Sequence, residues 1–311
     1  MLFFTIKTWK PALCLGLAGL LLTACDHIES PVKPAVTSTL TVRQQAVLDS
    51  IETKNPAPAN VQRVLIEDMT GQYCGNCPSA ARMADTLYRL HPQQVVVLEE
   101  HVTDYFAAPR PPDFPIDFRV AGTSQEIAKT YDLDNRGLPQ GAVNRTPFAS
   151  ASNSLAATYS LWPAAVNAQL GQTPQQELSI TTNYAPATRI LQVKIASHYL
   201  SALTVPVRLG IAIAEDSLLG TQKDYRAPAG TVQLPGQETP NYVHRNVLRV
   251  VLAGTFGTQQ VSNPGAGQQF NNYLSYQLPA TWVAKRCRIM AYLANDNTSQ
   301  ILQVATAKVV R

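Results

Sequence analysis

The sequence contains little charge. Asp, Glu, Lys and Arg together make up 15% of its 311 residues, against about 25% in ordinary soluble domains. The formal net charge is +4, and no basic stripe interleaved with aromatic residues occurs, which is the pattern typical of nucleic-acid binding. A nucleic-acid partner is therefore not expected.

Cysteine is also scarce, with five residues in the chain. Cys74 and Cys77 form the one closely spaced pair, and no second Cys-x-x-Cys and no His-x-His accompanies them. Structural zinc sites generally use four protein ligands. The sequence therefore predicts neither a metal site nor a bound cofactor.

No apolar run is long enough for a membrane-spanning helix, which needs about 20 residues. The run from Ala12 to Leu22 follows Lys7 and Lys10 and ends in small residues before Cys25. This order is typical of a secretory signal, so residues 1–24 are predicted to be removed on export. Their removal takes away two positive charges and changes the formal charge from +4 to +2.

The end of this signal, Leu22-Thr23-Ala24-Cys25, resembles the bacterial lipobox. The resemblance implies that Cys25 is lipidated and that acyl chains anchor the mature protein. Asp26 and Glu29 follow closely, and acidic residues there mark inner-membrane retention in some bacteria and surface export in others. Residues 25–60 are polar and contain proline, so they are predicted to form a tether, interrupted by one short helix in VRQQAVLDSIETK.

Residues 61–172 alternate between strand and helix patterns. Apolar, β-branched strands are predicted at 61–69 and 95–102, separated by a helix that has Pro78 in its first turn. A second helix follows in SQEIAKTYDL, with Ser124 as its N-cap, and a third in WPAAVNAQL. This order predicts an α/β sheet, with an irregular aromatic and proline-rich insertion at 104–118.

After Thr173 the apolar pattern changes to a period of two. Val205, Val207, Leu209, Ile211 and Ile213 alternate with smaller or polar residues, and RCRIMAYL repeats the pattern. Several strands without long helices between them predict an antiparallel sandwich over residues 173–311. The chain is long for one core, so two domains are expected.

Cys74 and Cys77 stand between the first strand and its helix, in the segment YCGNCP. Free N–H groups and the dipole of a helix N-terminus stabilise a thiolate, and a second cysteine one turn later can resolve a mixed disulfide. The pair could also be a fixed disulfide, although so short a loop gains little stability from closure. Redox exchange is the favoured interpretation.

Strand, Cys-x-x-Cys, helix and strand together resemble the thioredoxin superfamily. The resemblance implies a thioredoxin-like domain in which Cys74 attacks, Cys77 resolves and Asp68 assists proton transfer. Leu138 and Pro139 match the loop whose cis-proline guides substrate backbone. Tyr73 stands where thioredoxins usually have tryptophan, which affects the range of substrates.

Several side chains near the pair allow two interpretations. Glu67 and Asp68 alternate along a strand, so one is expected to face the core, and the alternative is that both are surface carboxylates. His101 is predicted to be a hydrogen-bonded structural residue rather than one that tunes the thiolate. The aromatic residues of the 104–118 insertion either line a peptide groove or pack the loop. Cys287 is predicted to be a small core residue.

The whole chain resembles a narrower group, the outer-membrane lipoprotein family related to the twenty-eight-kilodalton Omp of Gram-negative bacteria. The resemblance rests on the lipobox, EDMTGQYCGNCP, Pro139 followed by Asn144-Arg145, and NYVHRNVLR in the C-terminal part. It implies a lipid-anchored protein of the cell envelope, most naturally the outer membrane, with a thioredoxin-like domain joined to a β domain.

Two functions are compatible with these features. The first is a thiol–disulfide oxidoreductase acting on thiols and disulfides of envelope or surface proteins. The second is a non-catalytic surface adhesion or binding lipoprotein, in which the thioredoxin-like domain is a scaffold. The sequence leaves open whether the chain forms a homo-oligomer.

Overall fold

The structure is a computed structural model that describes residues 39–54, 61–226 and 238–310. The predicted signal peptide at 1–24 and the predicted lipidation site Cys25 lie outside the described residues. All described residues belong to one compact unit. Within the described ranges, no helix combines the length and the apolar character that crossing a membrane requires.

The secondary structure of the described residues changes from mixed to strand-rich along the chain. The α-helices are α1 Val42–Lys54, α2 Cys77–Leu90, α3 Asp104–Ala107, α4 Thr123–Thr130, α5 Leu133–Arg136 and α6 Trp162–Leu170. The first strands are β1 Val64–Thr70, β2 Val95–His101, β3 Gln140–Val143, β4 Gln176–Ala185, β5 Ile190–Tyr199 and β6 Val207–Glu215. The remaining strands are β7 Leu218–Lys223, β8 Glu238–His244, β9 Val247–Val251, β10 Thr258–Val261, β11 Gln269–Gln277, β12 Cys287–Asn295 and β13 Ile301–Lys308.

The main sheet has eight strands in the order β13-β12-β6-β9-β2-β1-β3, with β10 paired to one end of β6. β1 and β2 are parallel along their whole length, and β2 meets β9 in parallel where Glu99 pairs with Val247. Strands from both sides of the predicted boundary after residue 172 therefore share one sheet. The sequence predicted two separate sheets, because pairing between distant strands leaves no local pattern.

This main sheet curls, so that its outer strand β13 approaches β1 and β3. The N–H of Ile301 donates to the carbonyl of Asn144 (2.8 Å), and the N–H of Arg63 donates to the Gln303 side chain (3.1 Å). One buried apolar cluster fills the inside of the curl and combines residues of both sequence segments, including Leu65, Val96, Leu98, Ala212, Leu248, Met290 and Val304.

The outer face of the main sheet is covered by helices at one end and by a second sheet at the other. α2 and α6 pack on β1 and β2, with Trp162 fully buried. The antiparallel sheet β11-β5-β4 packs on β6 and β12. The predicted alternation is confirmed in β6, because Leu209 and Ile213 face the second sheet whereas Ala212 and Ala214 face the inside of the curl.

The helix α1 lies within the segment predicted to be a tether, and it packs against the second sheet. Leu48 is fully buried. Lys194 of β5 binds Asp49 and Glu52, each at 2.7 Å. The hydrogen bond that Asp49 accepts from Lys194 lowers the pKa of Asp49. The described part of the predicted tether is therefore attached to the folded unit.

The prediction that Ser124 caps a helix is wrong. Helix α4 begins one residue earlier, at Thr123, and Gly122 is its N-cap. The Ser124 hydroxyl instead donates to the His101 carbonyl (2.8 Å) and accepts from the N–H of Val120 (2.9 Å). The Ser124 hydroxyl therefore links α4 to β2. A contact between residues so far apart in the chain leaves no pattern in the local sequence.

Gly141 of β3 is predicted to be intolerant of any side chain. A Cβ there would lie 2.2 Å from the Trp162 ring and 2.8 Å from the Glu67 carbonyl. We expect Gly141→Ala to lower the free energy of unfolding in urea by about 1–3 kcal/mol, because neither neighbour has room to move.

The matched control is Gly265→Ala, since a Cβ at this exposed glycine meets nothing within 4 Å. We expect its effect to stay within about 0.5 kcal/mol. Equal stability of the two variants would contradict the close packing of β3 against α6.

Candidate functional site

Cys74 and Cys77 form a disulfide in the turn that joins β1 to α2. Their sulfur atoms are 1.98 Å apart and their Cα atoms 5.4 Å apart. The N–H of Cys74 donates to the carbonyl of Gly71 (3.0 Å), and the N–H of Cys77 donates to that of Cys74 (3.2 Å). These successive turns bring the two side chains to the same side, and α2 begins at Cys77 with Pro78 in its first turn.

Both cysteines are 1% exposed, because a distant part of the chain covers them. This covering hairpin consists of β7, β8 and the residues that follow β7 up to Arg226. The Gln222 amide donates to the carbonyls of Gly71 (3.2 Å), Cys74 (2.9 Å) and Lys223 (3.0 Å). The N–H of Tyr225 donates to the carbonyl of Gly75 (2.9 Å).

Gly75 is required by this close approach. A Cβ on residue 75 would lie 2.6 Å from the Tyr225 ring, so a glycine between the cysteines allows the covering hairpin to lie directly on the turn. Asn76, by contrast, is exposed.

Asp68 lies on β1 and faces α2. It is 1% exposed, and its Oδ1 has no hydrogen-bond partner among the described residues. Burial, together with the neighbouring Glu99 carboxylate, raises the pKa of Asp68 well above its usual range. The protonated, uncharged form of this carboxyl group is therefore favoured.

Glu67 is also buried, so the expectation that one of the two carboxyls faces the core and the alternative of two surface carboxylates are both wrong. Glu67 points into the curled sheet and binds Arg145 at 2.6 Å, with both side chains 3% exposed. Burial alone would lower the pKa of Arg145, but the charge of Glu67 outweighs it and the pKa is raised. Both faces of the sheet are covered at β1, so residues on both sides of the strand are buried. The alternation of side chains along a strand does not show whether its second face is covered.

Tyr73 lies beside the disulfide at the edge of the 104–118 insertion. Its ring meets those of Phe114 (centroids 5.6 Å apart) and Tyr105 (6.3 Å apart) edge to face. Arg110 lies 3.8 Å and Lys223 4.1 Å from the Tyr73 ring centroid. A continuous surface of aromatic rings and cations results, in which Tyr105 is 63% exposed.

The other aromatic residues of the insertion mostly pack inward, and Phe106 is half-buried. Phe114 is 2% and Phe118 6% exposed. The ring of Phe118 contacts His101 and His244, with centroids 4.9 Å and 4.8 Å away. Of the two interpretations, packing therefore describes Phe114 and Phe118, while Tyr105 alone of the four stays largely open to solvent.

Leu138 and Pro139 lie directly before β3, the strand that pairs with β1. The peptide bond between them is cis. Gln140, the next residue, pairs with Met69 of β1, and Leu138 packs in a cluster with Met69. The structure thus places Cys74, Cys77 and Tyr73 in one turn, Asp68 on β1, and Leu138 and Pro139 directly before β3, the strand that pairs with β1.

A buried cluster of one carboxylate and two histidines was not predicted. Glu99 Oε1 lies 2.8 Å from His101 Nε2 and 3.3 Å from His244 Nδ1. Burial alone would raise the pKa of Glu99, but hydrogen bonds from the two imidazoles lower it to about 2. Burial lowers the pKa of His101. His101 is hydrogen-bonded as predicted, with Glu99 as its partner. His244, which was not predicted, binds the same carboxylate from 145 positions further along the chain.

Cys287 lies in the apolar core between the two sheets, as predicted. It is fully buried. Burial raises the pKa of its thiol to about 12. This cysteine is therefore unreactive at neutral pH.

These features define a class of protein: a mixed α/β unit that carries a covered disulfide and shares its sheet with a strand-rich unit. A family described as outer membrane protein Omp28 matches residues 125–311, more than half of the chain. The chain belongs to this Omp28 family, and this places it at the outer membrane of the cell envelope, as the sequence predicted. The matched range does not include Cys74 and Cys77.

A search among curated proteins returned no significant match. Among solved structures, HBP35 of Porphyromonas gingivalis is similar with a TM-score of 0.55 and 15% identity, over 81% of this chain and 77% of that one. At this identity the similarity concerns the fold alone.

Two further solved structures have TM-scores below 0.5 and carry no weight for the fold. A protein of Agrobacterium tumefaciens matches at 0.48 and 14% identity, over 81% of this chain and 96% of its own. A domain of the outer membrane lipoprotein Omp28 from P. gingivalis matches at 0.29 and 15% identity, over 44% and 88%.

The Gln222 amide is predicted to hold the covering hairpin on the disulfide. Gln222→Ala leaves three carbonyl groups without this donor, and losing such hydrogen bonds costs about 1–3 kcal/mol. We expect the hairpin to open about ten times more often and the phosphine TCEP to reduce Cys74–Cys77 correspondingly faster.

A suitable control is Gln259→Ala, which removes an exposed amide that donates to Ser262. Reduction rates are compared at equal TCEP concentration by alkylation and mass spectrometry. An unchanged rate in Gln222→Ala would show that the hairpin does not limit access to the disulfide.

Proposed function

We propose that this chain is an outer-membrane lipoprotein, anchored through Cys25, whose Cys74–Cys77 pair exchanges disulfides with envelope or surface proteins. The observation that carries the proposal is the position of the disulfide, which lies in the turn entering α2 and directly after a strand that bears a buried carboxyl group.

The surroundings of the pair support a thioredoxin-like unit over residues 61–172. β1 and β2 are parallel and flank α2, and β3 runs antiparallel to β1 directly after Pro139. This is the arrangement that the resemblance to thioredoxins implies. In that unit Cys74 attacks, Cys77 resolves, Asp68 assists proton transfer, and Leu138, Pro139 and Tyr73 contact the substrate.

The exchange conserves electrons and thiols. In the reducing direction, the Cys74 thiolate attacks one sulfur of a substrate disulfide and releases the other substrate sulfur as a thiolate. The proton of Cys77 then passes, with the assistance of Asp68, to the released substrate thiolate, and the Cys77 sulfur attacks the Cys74 sulfur. The bond between Cys74 and the substrate breaks, the second substrate sulfur leaves as a thiolate, and the Cys74–Cys77 disulfide forms. Two electrons pass from the pair to the substrate, and the oxidising direction is the reverse.

Disulfide exchange requires that a protein substrate reach the Cys74 sulfur. With both cysteines 1% exposed, a protein substrate reaches Cys74 after residues 222–225 leave the turn. The hairpin contacts the turn through a few polar groups and one ring, and local opening of such a segment costs less than global unfolding.

The decisive measurement is the reduction potential of Cys74–Cys77. We expect a value above about −270 mV, in the range of exchange catalysts, because structural disulfides of exported proteins lie below about −300 mV. The chain from Asp26, which lacks Cys14 and Cys25, is equilibrated in glutathione buffers and its thiols are counted by alkylation.

Insulin reduction by the same chain provides the activity test. We expect Cys74→Ser and Cys77→Ser to abolish it, whereas Cys287→Ser, which alters a buried cysteine of the core, retains it. A pair that stays oxidised in every buffer would refute exchange.

A specific observation favours a second candidate, a non-catalytic binding function. The disulfide is covered, whereas neighbouring side chains are exposed to solvent. Tyr105 is 63%, Leu219 55% and Tyr225 50% exposed. Aromatic residues beside cations are enriched in protein interfaces. In this case the disulfide holds the turn, and the surface around Tyr73 binds an envelope protein.

A photo-crosslinking amino acid separates the two candidates in cells. For a binding function, we expect a discrete crosslinked protein from position 105 or 225, and none from position 88, where Tyr88 is 37% exposed on α2. The same crosslink in a Cys74→Ala/Cys77→Ala protein would show that binding is independent of the disulfide. Equal labelling at all three positions would argue against a binding surface here.

A further inference from the structure

The cluster of Glu99, His101 and His244 has the composition and geometry of a metal site. Glu99 and His101 are two residues apart on β2 and therefore point to the same face. His244 reaches them from the end of β8. One ligand atom from each residue lies within 4.8 Å of the other two. The three side chains are 6%, 0% and 1% exposed.

The distances within the cluster suit a shared ion. Zinc binds imidazole nitrogen and carboxylate oxygen at about 2.0–2.2 Å, which places neighbouring ligand atoms about 3.3 Å apart in a tetrahedral site. The Glu99 oxygen lies 2.8 Å and 3.3 Å from the two facing nitrogens. Small side-chain movements around this oxygen would therefore allow all three atoms to contact one cation.

In each imidazole, the ring nitrogen that does not face Glu99 can carry the proton of the neutral ring. His101 Nδ1 and His244 Nε2 have no hydrogen-bond partner among the described residues. When these nitrogens carry the protons, the two nitrogens that face Glu99 present lone pairs, as metal binding requires. Neither imidazole then has to be charged, and the ion balances the buried carboxylate.

A small cavity lies between α2 and the end of β8 and reaches Glu99. Its volume is about 90 Å³, and Asp68 and Glu99 contribute to its lining together with Tyr242 and Arg245. This volume exceeds that of a single water molecule, so Glu99 borders a space that admits water.

We propose that Glu99, His101 and His244 bind one divalent transition-metal ion of the zinc type. Two imidazoles and a carboxylate suit Zn²⁺ and its neighbours Co²⁺ and Ni²⁺ rather than Mg²⁺ or Ca²⁺, which prefer oxygen ligands throughout. The site differs from the thiol pair, and the inference does not rest on disulfide exchange.

The ion would join two parts of the chain that pack together without a covalent bond. Glu99 and His101 belong to β2, whereas His244 pairs with Leu218 at the base of the covering hairpin. The far end of the same hairpin, at Gln222 and Lys223, rests on the turn of Cys74. A bound ion would therefore hold the cover on the disulfide.

The test uses the chain from Asp26, which contains the complete compact unit, with its affinity tag removed. After chelation and desalting, it is titrated with Zn²⁺ by calorimetry, and metal content is measured by mass spectrometry. We expect one ion per chain, and an increase in Tm of roughly 5 °C or more at saturating Zn²⁺. Co²⁺ is expected to give a d–d absorption spectrum of low coordination number.

Loss of a residue that only supports a metal ligand weakens metal binding about 10–100-fold. We expect His244→Ala and His101→Ala, which each remove a ligand itself, to weaken Zn²⁺ binding by a larger factor. The matched control is His198→Ala, because His198 is partly exposed and pairs with Glu177 outside the cluster. We also expect bound Zn²⁺ to slow reduction of Cys74–Cys77 by TCEP in the wild-type chain and in His198→Ala.

The wild-type titration decides the proposal even if a cluster variant fails to fold. A folded wild-type chain that binds none of Zn²⁺, Co²⁺ and Ni²⁺ would overturn it. Binding that persists unchanged in folded His244→Ala or His101→Ala would place the ion elsewhere and would overturn it equally. An insulin-reduction result of either sign leaves this outcome unaffected.

Discussion

Two neighbouring parallel strands bury four carboxyl groups, and much of the structure depends on how each of them is accommodated. Glu67 and Glu100 point into the curled sheet, whereas Asp68 and Glu99 face α2. Burying an unpaired carboxylate costs several kcal/mol. Arg145 neutralises Glu67, and two imidazoles surround Glu99. Burial raises the pKa of Asp68 and of Glu100, and protonation removes their charge.

The partners of these groups come from distant parts of the chain, and this joins the α/β segment to the strand-rich segment. Arg145 follows β3 and also contacts the hydroxyl of Tyr292 on β12 (3.2 Å). His244 ends the covering hairpin. Satisfying buried charge and closing the curled sheet are therefore coupled, and the shared sheet is the structural consequence.

The covering hairpin connects the two chemically distinctive features of the protein. One end lies on the disulfide-bearing turn and the other end meets Glu99 and His101. The two ends belong to one pair of antiparallel strands, β7 and β8, so a single element contacts both features. The surface around Tyr73 borders the same region, through Lys223.

The features that sequence predicts well are those set by neighbours along the chain. The alternation from Val207 to Ile213 predicts which side chains face the second sheet, and the apolar runs predict β1 and β2 to within a few residues. The turn chemistry of Cys-x-x-Cys before Pro78 predicts a disulfide-forming pair at a helix start. The resemblance to the family rests on short sequence motifs, and the family match over residues 125–311 confirms it together with the outer-membrane location.

The features that sequence does not predict require contacts between distant residues. The burial of Glu67 depends on Arg145, and the Glu99 cluster depends on His244, so no periodicity reveals either. The same holds for Ser124, because its hydroxyl donates to a carbonyl of β2 rather than capping its own helix. The sequence by itself determined the elements, the cysteine pair and the family. The tertiary structure decided that one sheet spans both segments and that the disulfide is covered, because long-range pairing and the neutralisation of buried charge exist only in the folded chain.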